Sequence, residues 1–137
     1  MYFLPTQTGA LTGTLTLTDN AANSPQMVVL SGTGFENAKL APASETYRPQ
    51  DVGVSSPPKT FTLSNKEAAP LSNIHITTSG DFAVVATSCG GSLAAEDSCW
   101  ISVTFTPTAT GTRTGQLSVS DSANNSPQTS NLTGTGK

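Results

Sequence analysis

The feature that most constrains this chain is that it contains part of itself twice. Residues 1–34 lie on residues 103–136 at a constant offset of 102, without a gap and with 18 identities in 34 positions. Phe3 matches Phe105, Pro5-Thr6 matches Pro107-Thr108, and Thr12-Gly13 matches Thr114-Gly115. Asn23-Ser24-Pro25-Gln26 falls on Asn125-Ser126-Pro127-Gln128, and Gly32-Thr33-Gly34 falls on Gly134-Thr135-Gly136. Self-similarity at a fixed period marks a repeat architecture. Residues 35–137 are therefore expected to form one complete module. Residues 1–34 are expected to be the last third of a preceding module whose first two-thirds are absent.

Within the complete module, short alternating segments recur with turn chemistry between them. Phe61 and Leu63 alternate with Thr60, Thr62 and Ser64, and Ile74 and Ile76 flank His75. Phe82 and Val84 follow the turn Ser79-Gly80-Asp81; Ile101, Val103 and Phe105 alternate with Ser102 and Thr104; Leu117 and Val119 follow the same rule. These apolar residues are the expected core. With a first strand near 44–48 and a last one ending near Leu132, the pattern predicts an all-β, seven-stranded immunoglobulin-like sandwich. The partial repeat adds an extra N-terminal two-stranded ribbon. Composition agrees: 22 Thr, 17 Ser, 12 Gly and 9 Pro accompany only 11% charged residues. Thr suits a pleated, half-buried surface, while Gly and Pro punctuate turns.

Several of these residues carry a resemblance to a known repeat. Thr104-Phe105-Thr106-Pro107-Thr108, Gly111-Thr112-Arg113-Thr114-Gly115, Ser126-Pro127-Gln128 and Gly134-Thr135-Gly136 resemble the immunoglobulin-like module of bacterial choice-of-anchor D proteins. That module is related to the ASH (abnormal-spindle/Hydin) and PapD-like superfamily. Further matches are Val52-Gly53, Phe61-Thr62-Leu63-Ser64-Asn65, Ser79-Gly80-Asp81-Phe82, and Cys89-Gly90 with Ser98-Cys99. The resemblance covers the whole chain, counting the partial copy. It implies secreted or surface-attached arrays without enzyme activity of their own. The chain departs from the pattern by beginning mid-module and by carrying Trp100 where a small polar residue is commoner.

Charge and chemistry exclude several functions. A net charge of −3 with six Lys and Arg does not suit an electrostatic nucleic-acid binder. No apolar run is long enough to span a membrane, and Met1-Tyr2-Phe3-Leu4-Pro5 is not the start of a signal peptide. Cys89 and Cys99 join the end of one strand to the start of the next, so they are expected to form a structural disulfide, which fits an oxidising compartment. They have no Cys-x-x-Cys spacing and no basic neighbour to suggest redox or metal chemistry. His75 should face solvent, and no nucleophile-elbow motif accompanies it. The turns Asp19-Asn20-Ala21-Ala22-Asn23 and Asp121-Ser122-Ala123-Asn124-Asn125 gather oxygens that suit either calcium or their own backbone N–H groups. With one carboxylate each, the second use is preferred. Leu4-Pro5-Thr6-Gln7-Thr8-Gly9 superficially suggests a sortase signal but is repeat sequence. Asn124-Asn125-Ser126 and Asn131-Leu132-Thr133 fit the weak glycosylation sequon. No catalytic residue, cofactor or metal is expected.

Two features point to association. Met27, Val28, Val29 and Leu30 replace Thr129, Ser130, Asn131 and Leu132, making this strand of the first copy apolar on both faces. Such a strand is expected to be buried, yet the strands that should cover it are missing, so a second copy of the chain or an adjacent repeat is the expected partner. Trp100 is either a packing lid or an anchor in an interface or sugar site. The expectation is a non-enzymatic structural module of an extracellular or cell-surface protein, self-associating by strand exchange or addition into a fibre or array. The alternative is an adhesive or carbohydrate-binding module centred on Trp100 and its neighbouring loops.

Overall fold

The computed structural model describes residues 2, 3, 5 and 9–137; among these there is no helix. The chain divides into two compact units, Met1–Glu36 and Asn37–Lys137.

In the first unit, β1 (Gly9–Leu17) and β2 (Gln26–Gly34) form an antiparallel hairpin. Its turn is closed from within: the Asp19 N–H donates to Ser24 Oγ at 2.9 Å, and Asp19 Oδ1 accepts the Ala21 N–H at 2.8 Å.

The second unit is a sandwich of two four-stranded sheets, one ordered β3-β5-β10-β8 and the other β4-β12-β11-β7. These strands are β3 (Ala38–Ala41), β4 (Ser44–Thr46), β5 (Lys59–Asn65), β7 (His75–Thr78), β8 (Phe82–Thr87), β10 (Ser98–Phe105), β11 (Gly111–Ser120) and β12 (Gln128–Gly136). A small ladder of β6 (Leu71–Ser72) with β9 (Ser92–Leu93) completes the unit. The single first strand expected near 44–48 begins earlier and is split. β3 pairs antiparallel with β5 in one sheet, then β4 pairs parallel with β12 in the other. The break falls at Pro42, which has no N–H to continue either ladder. Each sheet thus holds four strands rather than seven being shared between them, and the last strand runs to Gly136 rather than ending near Leu132.

Between the sheets, Phe61, Leu63, Ile101, Val103, Phe105, Leu117 and Val119 are fully buried, and Phe82 nearly so. Ile74, Ile76 and Val84 are only partly buried, packed against this cluster. Tyr47, Phe82 and Phe105 form an aromatic triad, with ring centroids 5.0 Å apart for Phe82–Phe105 and 5.4 Å for Tyr47–Phe82. The Tyr47 hydroxyl donates to the Val103 carbonyl at 2.8 Å, and burial holds its ionisation well above the ordinary phenol range. Buried Asn65 is satisfied: its Nδ2 donates to Ala69 O at 2.8 Å and Ala94 O at 3.0 Å, while Oδ1 accepts the Glu67 N–H at 2.9 Å. Ser130 Oγ differs, being buried without a hydrogen-bond partner.

Candidate functional site

The two copies of the repeat fold alike. β1 pairs with β2 from Gly9↔Gly34 to Leu17↔Gln26, and β11 pairs with β12 from Gly111↔Gly136 to Val119↔Gln128. Every pair of the first hairpin recurs at the same offset in the second. The turn recurs too: Asp121 N–H donates to Ser126 Oγ at 2.9 Å, and Asp121 Oδ1 accepts the Ala123 N–H at 2.9 Å. In both turns the carboxylate therefore serves its own backbone. Among the described residues, no group of three or more His, Cys, Asp or Glu side chains is placed to hold a metal ion.

What differs is cover. Leu117, Val119, Ser130 and Leu132 are 0%, 0%, 0% and 1% exposed inside the sandwich, whereas Leu15, Leu17, Val28 and Leu30 are 44%, 59%, 54% and 36% exposed. Met27 and Val29, on the opposite face of β2, are exposed as well. A two-stranded ribbon with one wet apolar face is marginal alone, and both of its edges are open to pairing. Phe3 lies on Gly32 as Phe105 lies on Gly134: a Cβ at either glycine would fall within 2.7 Å of ring carbons. Beside Phe3 opens a hollow of about 420 Å³, lined by Tyr2, Phe3, Leu11, Gly13, Leu30 and Gly32. Sequence reading singled out Met27 to Leu30 but missed Phe3, Leu11, Leu15 and Leu17. Their signal was available in the match of Leu15 and Leu17 to the core residues Leu117 and Val119.

The remaining singled-out residues lie in the sandwich, apart from one another in role. Trp100 stands on the outer face of β10 opposite Thr62 of β5, and the residue is 44% exposed. Its backbone is held at both ends, its N–H donating to Ser88 Oγ and its carbonyl accepting the Ser88 N–H, each at 2.9 Å. One residue away, Cys99 is disulfide-bonded to Cys89, with Cα atoms 5.1 Å apart. His75 is exposed at the edge strand β7. Leu4, Thr6, Gln7 and Thr8 of the sortase-like stretch lie outside the described residues.

A polar tie between the sheets carried no local sequence signal. Asp81 Oδ2 accepts Arg113 Nε at 2.6 Å and the Thr108 N–H at 3.1 Å, and Oδ1 accepts the Thr108 hydroxyl at 2.9 Å. The Arg113 hydrogen bond, followed by that from the Thr108 backbone, lowers the Asp81 carboxyl to about 2. In the unfolded chain it titrates near its ordinary value of about 3.9. The tie therefore contributes in full above about pH 4 and is lost as pH falls toward 2. Melting curves of the wild type and Asp81→Asn are expected to differ at neutral pH and to converge near pH 2. A difference that persists unchanged at pH 2 would contradict this.

The architecture is that of an immunoglobulin-like sandwich module. ASH/PapD-like domain 7 of human CEP192 superposes with a TM-score of 0.57 at 16% identity, covering 74% of this chain and 86% of that one. The VesB protease of Vibrio cholerae matches at a TM-score of 0.56 and 20% identity, covering 72% of this chain and 32% of that one. A family 123 glycoside hydrolase from Clostridium perfringens matches at 0.56 and 9%, covering 72% of this chain and 26% of that one. The chain thus spans under a third of either enzyme, and at these identities the likeness concerns fold alone. No curated protein matches the chain. The family model described as HYDIN/CFA65/VesB-like, Ig-like domain matches residues 51–137, and the chain belongs to that family.

Proposed function

We propose that this chain is a non-enzymatic structural module of an extracellular or cell-surface protein, joined to further copies or adjacent repeats through the hairpin 9–34. The observation that carries the reading is the exposure of Leu15, Leu17, Val28 and Leu30, whose counterparts are core residues in the same fold. The disulfide, and the absence among described residues of a helix long and apolar enough to cross a membrane, are compatible with an extracellular setting. The resemblance to choice-of-anchor D repeats supports an array. Strand exchange alone buries nothing new, because each chain carries two such hairpins for one place in its sandwich. Addition is the favourable route: two hairpins that face each other, or pair along their open edges, remove apolar surface and unpaired backbone from water together.

Light scattering and negative-stain microscopy test this on the full chain beside a chain beginning at Phe35. Assemblies in the first that vanish in the second are expected; monomers in both would overturn self-association. The half-exposed Trp100 ring on a hydroxyl-rich face favours a second reading, an adhesive or carbohydrate-binding module. That reading requires saturable binding of a glycan that is lost in Trp100→Ala without any change in assembly.

A further inference from the structure

We infer that the hairpin 9–34 is a preformed receptor for one kind of partner: an immunoglobulin-like segment that lacks its own last two strands and inserts an aromatic side chain into the hollow beside Phe3. This rests on the hairpin being the joining element, and it adds what the hairpin joins.

The second copy shows what belongs in that hollow. Its counterparts of Phe3, Gly13 and Gly32 are Phe105, Gly115 and Gly134. There the Phe82 ring stacks on Phe105 with centroids 5.0 Å apart, and Tyr47 lies 5.9 Å from Phe105 and 5.4 Å from Phe82. Phe82 is admitted by Gly115, where a Cβ would come within 2.6 Å of its Cδ2. Gly13 leaves the same opening in the first copy, and no described side chain of its own unit fills it. The edges correspond as well. β11 pairs with β7 and β12 with β4, so β1 and β2 offer matching ladders to strands of that type. Asn125, whose side chain bonds both the N–H and the carbonyl of Ala38, is preserved as Asn23.

Two substitutions specify the partner further. Val28 stands where the module buries the unpartnered Ser130 hydroxyl, so the inner face of the hairpin presents no orphaned polar group. Leu11 stands where Arg113 meets Asp81. A partner with an acid at that place would keep its bonds of the Thr108 kind but lose the charged one of the Arg113 kind, so the fitting partner carries an uncharged residue there.

The test uses the full chain and, as probe, a peptide of its own residues 37–110, which supplies the aromatic residues but neither hairpin. A one-to-one complex by sedimentation is expected, absent when the chain begins at Phe35. Phe82→Ala in the probe should weaken it by at least about tenfold, as should Gly13→Val in the full chain. Asp81→Ala in the probe should tighten it several-fold. Equal binding by the chain beginning at Phe35 would mean that the resident hairpin is the donor, and would overturn the inference. So would no complex, or a complex indifferent to Phe82. An unchanged affinity of the Asp81→Ala probe would overturn the uncharged-residue specificity. Assembly of the chain alone is read separately, so loss of either proposal leaves the other standing or fallen on its own data.

Discussion

Gly134→Val is expected to lower the melting temperature of the sandwich sharply. A Cβ at this position would lie 2.5 Å from Cζ of Phe105, a ring that is fully buried. The ring cannot move without displacing Phe82 and Tyr47, which contact it. Overpacking of a core commonly costs 1–3 kcal/mol, and a branched side chain against a trapped ring should exceed about 3 kcal/mol. For a unit of this size that lowers the melting temperature by more than about 12 °C. The matched change Gly32→Val meets Phe3, which is half exposed and free to swing aside. It should leave the melting of the sandwich unmoved. Thermal unfolding by circular dichroism separates the two; equal effects would show that the repeat glycines do not act through a trapped ring.

Loss of the Cys89–Cys99 bond is the second large effect. It closes a loop with a sequence separation of 10. In the chain-entropy treatment, such a loop is worth about 2–3 kcal/mol. The loop carries β9, the partner of β6, and its closing end carries Trp100. Reduction, or Cys89→Ala with Cys99→Ala, is therefore expected to lower the melting temperature by about 10–20 °C. It should also shift the fluorescence of Trp100, the single tryptophan. A melting temperature indifferent to reductant would show that the sandwich closes this loop without the bond.

Period-2 alternation made Phe61, Leu63, Ile101, Val103, Phe105, Leu117 and Val119 readable as core because each sheet is wet on one face and dry on the other. It overstated Ile74, Ile76 and Val84, which lie on or beside β7 and β8, the edge strands of their sheets, where cover is incomplete. Leu71 and Leu93 escaped notice because two-residue strands show no period. Tyr47 escaped because it follows β4 in irregular chain. The tie of Asp81 to Arg113 joins residues 32 apart, a distance over which pattern says nothing. The repeat, by contrast, made the hairpin legible: shared residues imposed a shared register, and the residues matched to buried core positions mark its uncovered face. The boundary was read from where identity stops, at Gly34, whereas compactness divides the chain after Glu36.

The split first strand also fixes how the module answers to force. β4 and β12 run in the same direction, and the bonding continues beyond them: Tyr47 N–H to Thr133 O at 2.7 Å, Gln50 N–H to Thr135 O at 2.9 Å and Lys137 N–H to Gln50 O at 2.9 Å. Tension entering at Asn37 and leaving at Lys137 pulls these two segments past each other along their length. Their hydrogen bonds are then loaded together, in shear, rather than opened singly like a zip. A module sewn this way resists being drawn out along the axis of a chain of its own kind.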